Sequence, residues 1–298
     1  MSNFADRLQR RIDELGNPSC LGLDPLLSYL PESWHKEFDF TKDEDIYLGL
    51  KRYCFDLISA AADIIPAIKP QMAYFEQYGS AGIRVLQDII VQAKSVNMLV
   101  ILDGKRNDIG STASAYSDAY LGENSLSADA LTVNGYLGSD GIVPFLEKCH
   151  KNGKGIFILC RTSNPSAGEL QDLKLSDGRL VYEAMADLIA EWGSNLTGEE
   201  GISSAGAVVG ATWPQQAKAL RERIPQSLFL IPGFGAQGGT AANAIAGFDQ
   251  NGRAAIVNAS RSLMLAWKKH GLKHDDFAEA LRLEAVAMRD SLREALAL

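Results

Sequence analysis

The chain is acidic and rich in apolar residues. It has 298 residues, of which 46% are hydrophobic and 22% charged, and its formal net charge is −8. This size and apolar content suffice for one large core. The acidic balance argues against a broad surface for nucleic acid or for acidic membranes, and it leaves room for a small anion pocket. No apolar run reaches the roughly 18 residues of a membrane span, and the first residues lack an apolar signal core.

Eight short apolar segments alternate with helical patterns along the chain. The predicted strands are 19–24, 64–69, 98–102, 129–134, 155–161, 205–212, 227–232 and 253–259. The predicted helices are 4–15, 47–64, 74–94, 142–150, 180–196, 214–223, 240–246 and 277–296, and 26–42 is an irregular insert. Such alternation indicates a parallel sheet.

Eight repeats over roughly 250 residues predict a closed (β/α)₈ barrel. We expect residues 1–298 to form one barrel domain of the α/β class, with extra helices at the N-terminal and C-terminal ends. The alternative is an open, doubly wound sheet. That fold favours Gly-x-Gly-x-x-Gly after the first strand, and Leu21-Gly22-Leu23-Asp24-Pro25 does not match it.

The cysteines and histidines give no sign of a disulfide framework or a metal centre. No Cys-x-x-Cys pair occurs, so we predict buried free thiols and a reducing, cytoplasmic environment for Cys20, Cys54, Cys149 and Cys160. His270 and His274 have helical spacing, but no acidic residue stands at metal-ligand spacing from them. We therefore predict no metal site and no cofactor.

Three charges follow the apolar run 98–102 at a fixed spacing: Asp103, Lys105 and Asp108. Residues two apart in a strand point to the same side, so Asp103 and Lys105 should project together. Active sites of α/β barrels lie at the carboxyl ends of the strands. The alternative is a structural ion-pair cluster without a catalytic role.

The other strand ends extend this candidate site. The residues found there are Asp24, Lys69, Asn134, Ser163, Thr212, Gln237 and Arg261. The glycine-rich loop 233–239 and the Ser260-Arg261 helix start offer backbone N–H groups and a cation for a phosphate, although such a loop could also be merely flexible. Lys69, Asp103, Lys105 and Asp108 alternate in sign, and a lysine beside a carboxylate could deliver a proton. Together these features predict cofactor-free proton transfer on a phosphorylated substrate.

The motif Asp103-Gly104-Lys105-Arg106-Asn107-Asp108-Ile109 resembles the Asp-x-Lys-x-x-Asp-Ile signature of orotidine 5′-monophosphate decarboxylases. Six further segments occur in the order found in the longer bacterial branch of that family: Leu23-Asp24-Pro25, Ile68-Lys69-Pro70, Arg161-Thr162-Ser163-Asn164-Pro165, Val209-Gly210-Ala211-Thr212, 232–239 and Asn258-Ala259-Ser260-Arg261. The resemblance runs from about residue 17 to about residue 265.

The resemblance implies a lyase without a cofactor that converts orotidine 5′-monophosphate (OMP) to UMP and CO₂ in pyrimidine synthesis. Lys105 resembles the acid that protonates C6, Asp103 the carboxylate set against the substrate carboxylate, and Lys69 the lysine that completes the array and reaches the ribose. Asp108 and Thr112 resemble residues lent across a homodimer interface to the neighbouring active site.

The resemblance also implies a set of substrate contacts. The residues are Asp24 for the ribose, Ser163 for the pyrimidine amide edge, Gln237 and Arg261 for the phosphate, and Pro232 and Ser260 beside them. Binding energy from a remote phosphate can drive closure of a loop over the substrate.

Two other functions remain as alternatives. Metal-dependent sugar-phosphate decarboxylases and aldolases share the fold and motif but carry a Glu that helps hold magnesium where this chain has Lys69, and a cation there would repel a metal. A non-catalytic barrel that binds a phosphorylated ligand gives no reason for retaining two lysines and two acids together. A compositional hint of a dimer is that Ile109, Ala113 and Tyr116 would expose apolar surface if unpaired. The sequence suggests no role for residues 26–42 or for the tail after 265.

Overall fold

Eight parallel strands close into a barrel in chain order, with β1 paired to β8. This computed structural model describes residues 2–235 and 239–297. The strands are β1 Ser19–Leu23, β2 Ala67–Pro70, β3 Leu99–Arg106, β4 Ala130–Val133, β5 Gly155–Arg161, β6 Ser203–Val209, β7 Ser227–Ile231 and β8 Ala255–Ala259. The predicted (β/α)₈ barrel is confirmed, and the open sheet is excluded by the β1–β8 pairing.

Helices surround the barrel and close one of its ends. They are α1 Phe4–Leu15, α2 Asp43–Ala61, α3 Ala73–Glu76, α4 Gly79–Ser95, α5 Gly110–Leu121, α6 Ser139–Asn152, α7 Gly168–Gln171, α8 Val181–Gly193, α9 Pro214–Arg223, α10 Ala241–Ala244, α11 Arg261–Met264, α12 Ala266–His270 and α13 Phe277–Leu296. Within the two described ranges, no helix combines the length and apolarity needed to cross a bilayer.

Among the longer helices, two differences from the sequence predictions stand out. The helix predicted over 74–94 is divided into α3 and α4, with a break before Gly79, which has φ +56°. The sequence analysis did not identify α5, because its buried face carries Ala113, Ser117, Tyr120 and Leu121, a set with only one large aliphatic side chain. An apolar stripe of this kind is too weak to reveal a helix by periodicity.

The barrel interior is filled by alternate residues of the strands together with α1. One buried cluster contains Leu99 and Ile101 of β3, Phe157 of β5 and Phe4 of α1. The Phe4 and Phe157 rings meet edge to face, with centroids 5.9 Å apart. Since side chains alternate along a strand, these residues form the inward-facing set, and α1 closes the N-terminal end of the barrel.

The insert and the tail, for which the sequence suggested no role, pack against each other. Residues 26–42 form short 3₁₀ helices at Leu27–Tyr29 and Glu32–Lys36. The Trp34 ring lies edge to face on Phe277 of α13, with centroids 5.9 Å apart. Phe277 also contacts the Tyr53 ring of α2 at 4.7 Å. The insert and the tail therefore complete the outer layer beside β1 and β8.

The four cysteines are free and buried, as the sequence predicted. Burial raises the pKa of the Cys20 and Cys160 thiols to about 12. These thiols therefore stay protonated at neutral pH and behave as small apolar side chains.

The plug formed by α1 makes a testable contribution to stability. Phe4→Ala should lower the free energy of unfolding by about 3–5 kcal/mol, because it removes a fully buried ring and leaves a cavity against Phe157. Urea denaturation measures this loss. Val91→Ala, at an exposed position of α4, is the control and should change stability by less than about 0.5 kcal/mol. Equal effects of the two substitutions would contradict the role given to α1.

Candidate active site

A cavity of about 760 Å³ opens at the carboxyl ends of the strands. It collects most of the site residues predicted from the sequence: Asp24, Lys69, Asp103, Lys105, Ser163, Pro232, Ser260 and Arg261. The other lining side chains were not among the predicted site residues: Tyr29, Gln71, Tyr74, Thr132, Leu159, Thr162, Asn164, Gln171, Val208, Leu230, Phe234 and Asn258. Tyr29 belongs to the insert, so the insert also contributes to the cavity wall.

Strand alternation explains why polar side chains form the floor of this cavity. On β3, Asp103 lies two residues beyond Ile101, and on β2, Lys69 lies two residues beyond Ala67. Thr132 stands in the same relation to Ala130 on β4. Each is thus the next inward position above the apolar filling. The barrel therefore brings these polar groups together at its carboxyl-terminal end.

The Asp103 carboxylate lies at the centre of the polar floor and accepts four hydrogen bonds. Lys69 Nζ is 2.7 Å from Oδ2, and Lys105 Nζ is 2.7 Å from Oδ1. Gln71 Nε2 donates to Oδ2 at 3.0 Å, and Thr132 Oγ1 donates to Oδ1 at 2.9 Å. The carboxylate is buried, and both of its oxygens have partners. The predicted convergence of Lys69, Asp103 and Lys105 is observed.

The charges of this cluster stabilise one another. Burial alone raises the pKa of Asp103, but the positive charges of Lys69 and Lys105 and their hydrogen bonds hold it well below its usual range. Burial alone lowers the pKa of Lys69, whereas the charges of Asp103 and Asp24 reverse this and raise it above its usual value. Asp103 and Lys69 are therefore both ionised at neutral pH.

Lys105 reaches Asp103 through an irregular backbone. Its φ is +47°, in the left-handed region that residues other than glycine rarely adopt. The pairing of β3 with β4 shifts here, since Leu102 pairs with Leu131 and Arg106 with Val133. The prediction that Asp103 and Lys105 project together is confirmed, but a bulge rather than a regular strand directs Lys105.

The opposite wall of the cavity lies at the ends of β7, β8 and β1. Ser260 and Arg261 begin α11 beside the glycine-rich loop, in which Gly233 has φ +102°. A Cβ on Gly22 would lie 1.9 Å from Ser260 Oγ, so only glycine leaves room for Ser260 there. Arg261 forms no ion pair within ranges 2–235 and 239–297. Gln237, the other predicted phosphate contact, lies outside the described residues.

Asp24, in the cavity wall, has a carboxyl group with unfilled hydrogen-bonding capacity. Its Oδ1 is buried and has no hydrogen-bond partner in the described part of the chain. Burial raises the pKa of Asp24, and the nearby charge of Lys69 offsets only part of that effect. An acceptor that is buried without a donor is suited to receive a hydroxyl from a bound molecule.

The loop that carries Ser163 is held by residues that the sequence analysis did not identify. Arg161 is buried, donates to Gln171 Oε1 at 3.2 Å and to Asp172 Oδ2 at 3.1 Å, and has its guanidinium 4.3 Å from the Trp213 ring centre. Gln171 Oε1 in turn accepts the Thr162 backbone N–H at 3.0 Å. Only the position of Arg161 two residues before Ser163 could have indicated this role.

Some predicted strand-end residues lie away from the cavity of their own chain. Asp108 Oδ1 accepts the backbone N–H of Ile109 at 2.8 Å, and Thr112 is exposed on α5. Neither lines the cavity, so within one chain the structure does not bring Asp108 to the other three charges. Asn134 accepts the backbone N–H of Tyr136, and Thr212 donates weakly to Ser163 O at 3.4 Å.

Apolar side chains are exposed next to Asp108. Ile109 is 53% exposed and Tyr136 73% exposed. A Cβ on Gly141 would lie 3.1 Å from Asp108 O and 3.3 Å from Leu137 Cβ, which places exposed Leu137 beside Asp108. Ala113, which the sequence analysis counted as exposed, is buried within the chain because it lies on the inner face of α5.

Comparison with known proteins gives a consistent result. Residues 19–270 match the sequence model of the orotidine 5′-phosphate decarboxylase / HUMPS family. The chain is 41% identical to the orotidine 5′-phosphate decarboxylase of Rhodopirellula baltica, over 98% of this chain and 100% of that one. It is 39% identical to that of Caldicellulosiruptor bescii, over 99% and 100% of the two chains. The structure of Leishmania donovani OMP decarboxylase superposes with a TM-score of 0.74 at 31% identity, covering 97% of this chain and 100% of that one.

The raised pKa of Asp24 predicts that this side chain lowers the stability of the folded protein at neutral pH. Between the unfolded pKa, about 3.9, and the raised folded pKa, the folded state binds more protons, so wild-type stability falls as pH rises. Asp24→Asn removes this titration and should increase stability at pH 7, with a gain that vanishes as the pH falls below about 4. Urea unfolding at a series of pH values measures it. Val91→Ala, at an exposed position without a charge, should give no pH-dependent gain; a gain equal to that of Asp24→Asn would refute the assignment.

Proposed function

The chain belongs to the orotidine 5′-phosphate decarboxylase / HUMPS family, and from this premise we propose how it acts as an orotidine 5′-monophosphate decarboxylase, a carboxy-lyase. The substrate is OMP, and the products are UMP and CO₂. The observation that carries the proposal is the buried Asp103 carboxylate, held between two ammonium groups on the floor of the cavity. We assign the chemical step to that cluster.

The reaction breaks the bond between C6 of the pyrimidine and its carboxylate carbon. CO₂ leaves, and the electron pair of that bond remains on C6. The Lys105 ammonium supports this developing charge and donates a proton to C6, which gives UMP and leaves Lys105 as a neutral amine. Water then returns a proton to Lys105. Asp103 faces the substrate carboxylate and disfavours that charge, while its contacts with Lys69 and Lys105 keep Asp103 itself ionised.

The remaining groups of the cavity bind the parts of the nucleotide that lie away from the reacting bond. We assign the phosphate to Arg261, Ser260 and the loop after β7, which includes Gln237 and follows Pro232. Asp24 accepts a hydrogen bond from a ribose hydroxyl, Lys69 donates one to a ribose oxygen, and Ser163 contacts the amide edge of the pyrimidine. Because the phosphate lies far from C6, its binding energy can hold the reacting carboxylate against Asp103.

Lys69 supports the decarboxylase over the metal-dependent members of the same fold. Its ammonium lies 2.7 Å from Asp103, and its side chain is 5% exposed. A divalent cation bound to Asp103 would be repelled by this fixed positive charge. The curated relatives that are 36–41% identical to the chain are also named orotidine 5′-phosphate decarboxylases.

We propose a homodimer in which Asp108 and Thr112 complete the cavity of the partner. Both residues lie outside the cavity of their own chain, and Asp108 lies beside the exposed Ile109 and Leu137. An exposed apolar surface around an acid that does not line the cavity of its own chain is suited to contact with a second copy of this chain. In the dimer, Asp108 would be the second carboxylate beside Lys105, which gives two acids and two lysines.

We also propose that the chain is one domain that acts in the cytoplasm on a small-molecule substrate. The contacts of α1 with the barrel interior and of α13 with α2 support the single domain. Four free, buried thiols are compatible with a reducing compartment. The net charge of −8 favours neither nucleic acid nor acidic membranes.

Lys105→Ala tests the chemical assignment. The variant should lose at least about 10³-fold in kcat, because it removes the proton donor at C6. The measurement is the loss of OMP absorbance with EDTA present. Lys151→Ala, at an exposed position of α6, is the control and should retain wild-type kcat. No turnover of OMP by the wild-type chain would refute the proposed function, and turnover by Lys105→Ala at the wild-type rate would refute the role of Lys105.

Mixing two inactive variants tests the shared site. Lys105→Ala and Asp108→Ala should each be inactive alone, but a mixed dimer contains one site with both residues intact. After subunit exchange of an equal mixture, about a quarter of wild-type activity should return, since half of the dimers are mixed and each has one good site. Absence of recovery, with subunit exchange verified by native mass spectrometry, would contradict the exchange of Asp108 between subunits.

A further inference from the structure

The backbone of Lys105 is held by a side chain of the neighbouring strand. Between Leu102 and Arg106, β3 advances four residues while β4 advances only two, from Leu131 to Val133. Lys105 lies within this irregular segment, where its backbone N–H can take a side-chain acceptor. That N–H donates to Thr132 Oγ1, at 2.9 Å.

The direction of each hydrogen bond at Thr132 is fixed by chemistry. A backbone N–H can only donate, so Thr132 Oγ1 is the acceptor from Lys105. The single hydroxyl proton of Thr132 is then free for the Asp103 carboxylate, whose Oδ1 lies 2.9 Å away. The same Oδ1 receives the Lys105 ammonium at 2.7 Å. Backbone amide, hydroxyl, carboxylate and ammonium thus form a closed ring.

The unfavourable backbone conformation of Lys105 needs support from neighbouring groups, and this ring of hydrogen bonds provides such support. A φ of +47° is unfavourable for a lysine and persists only where the surroundings enforce it. The Lys105 side chain is 47% exposed, so side-chain packing supplies little of that enforcement. Thr132, by contrast, is almost fully buried on a strand whose partners on both sides are paired. Thr132 therefore provides a fixed hydrogen-bond acceptor for Lys105, which is strained and half-exposed.

We propose that Thr132 is a positioning residue for decarboxylation: its hydroxyl clamps the Lys105 backbone and the Asp103 carboxylate in one geometry and so aims the Lys105 ammonium. This inference rests on the proposed function, because it gives Lys105 the role of proton donor. Thr132 itself transfers no proton. Its loss should lower the rate of the chemical step while leaving the phosphate and ribose contacts in place.

Thr132→Val tests the proposal, because valine keeps the shape of threonine and lacks the hydroxyl. We expect kcat for OMP to fall about 10- to 100-fold, the scale of a misplaced catalytic group, with KM changed by less than about threefold. Thr132→Ser restores the hydroxyl and should recover kcat to within about threefold of wild type. Thr132→Ala serves as the second hydroxyl-free variant if the valine variant does not fold.

Ser204→Ala is the matched control. Ser204 is a buried barrel hydroxyl that also accepts a backbone N–H, that of Ala5 at 3.1 Å, but it lies at the end of the barrel closed by α1. Its removal should lower the urea midpoint without changing kcat per folded molecule. Circular dichroism and urea unfolding of all variants separate loss of folded protein from loss of rate.

The outcomes separate this proposal from the proposed function. A folded Thr132→Val enzyme with wild-type kcat would overturn the role of Thr132, as would a raised KM at constant kcat or failure of Thr132→Ser to recover. A loss fully accounted for by unfolded protein, as in Ser204→Ala, would overturn it as well. An inactive wild-type chain would instead refute the decarboxylase assignment itself.

Discussion

The buried carboxylate of Asp103 is the constraint on which the rest of the site depends. An ionised carboxylate removed from water is stable only if nearby charges and hydrogen bonds replace its hydration. Here two ammonium groups and two neutral donors do so, and they come from β2, β3, β4 and the residue after β2. Because β2, β3 and β4 are neighbouring strands, the sheet brings these groups to one point. Removing either lysine would leave one oxygen of the buried carboxylate without its charged partner.

The two lysines that share Asp103 differ in their access to water. The Lys69 side chain is 5% exposed and that of Lys105 47% exposed, although each lies 2.7 Å from the carboxylate. Lys69 therefore acts as a fixed charge in the floor of the barrel. Lys105 borders the open cavity, where it can meet a substrate and recover a proton from water. The difference in exposure supports the division of roles between a structural cation and a proton donor.

Much of the fold and part of the site follow from local patterns in the sequence. The continuous apolar runs before Lys69 and Asp103 indicate strands, and the position of each charge at a strand end placed both residues in the cavity. Helix α5 was not identifiable, because its buried face carries only one large aliphatic side chain. The β3 bulge and the contacts of the Thr132 hydroxyl could not be predicted either, since the register between two strands depends on pairing across the sheet. The contacts of 26–42 with α13 join segments about 240 residues apart, which no local pattern encodes.

The two ends of the barrel differ in composition: one is filled by apolar side chains, and the other carries charged and polar groups. At the N-terminal end, α1 fills the interior with apolar side chains, and Phe4 meets Phe157 in close contact. At the carboxyl end, Asp24 Oδ1 and Asn258 Oδ1 are buried without partners in the described residues, and Lys105 has an unfavourable φ. Each of these features lowers stability in the free protein, and each presents a group that a ligand could engage. The apolar end therefore supplies the stability that permits an incompletely satisfied, strained and highly charged site at the other end.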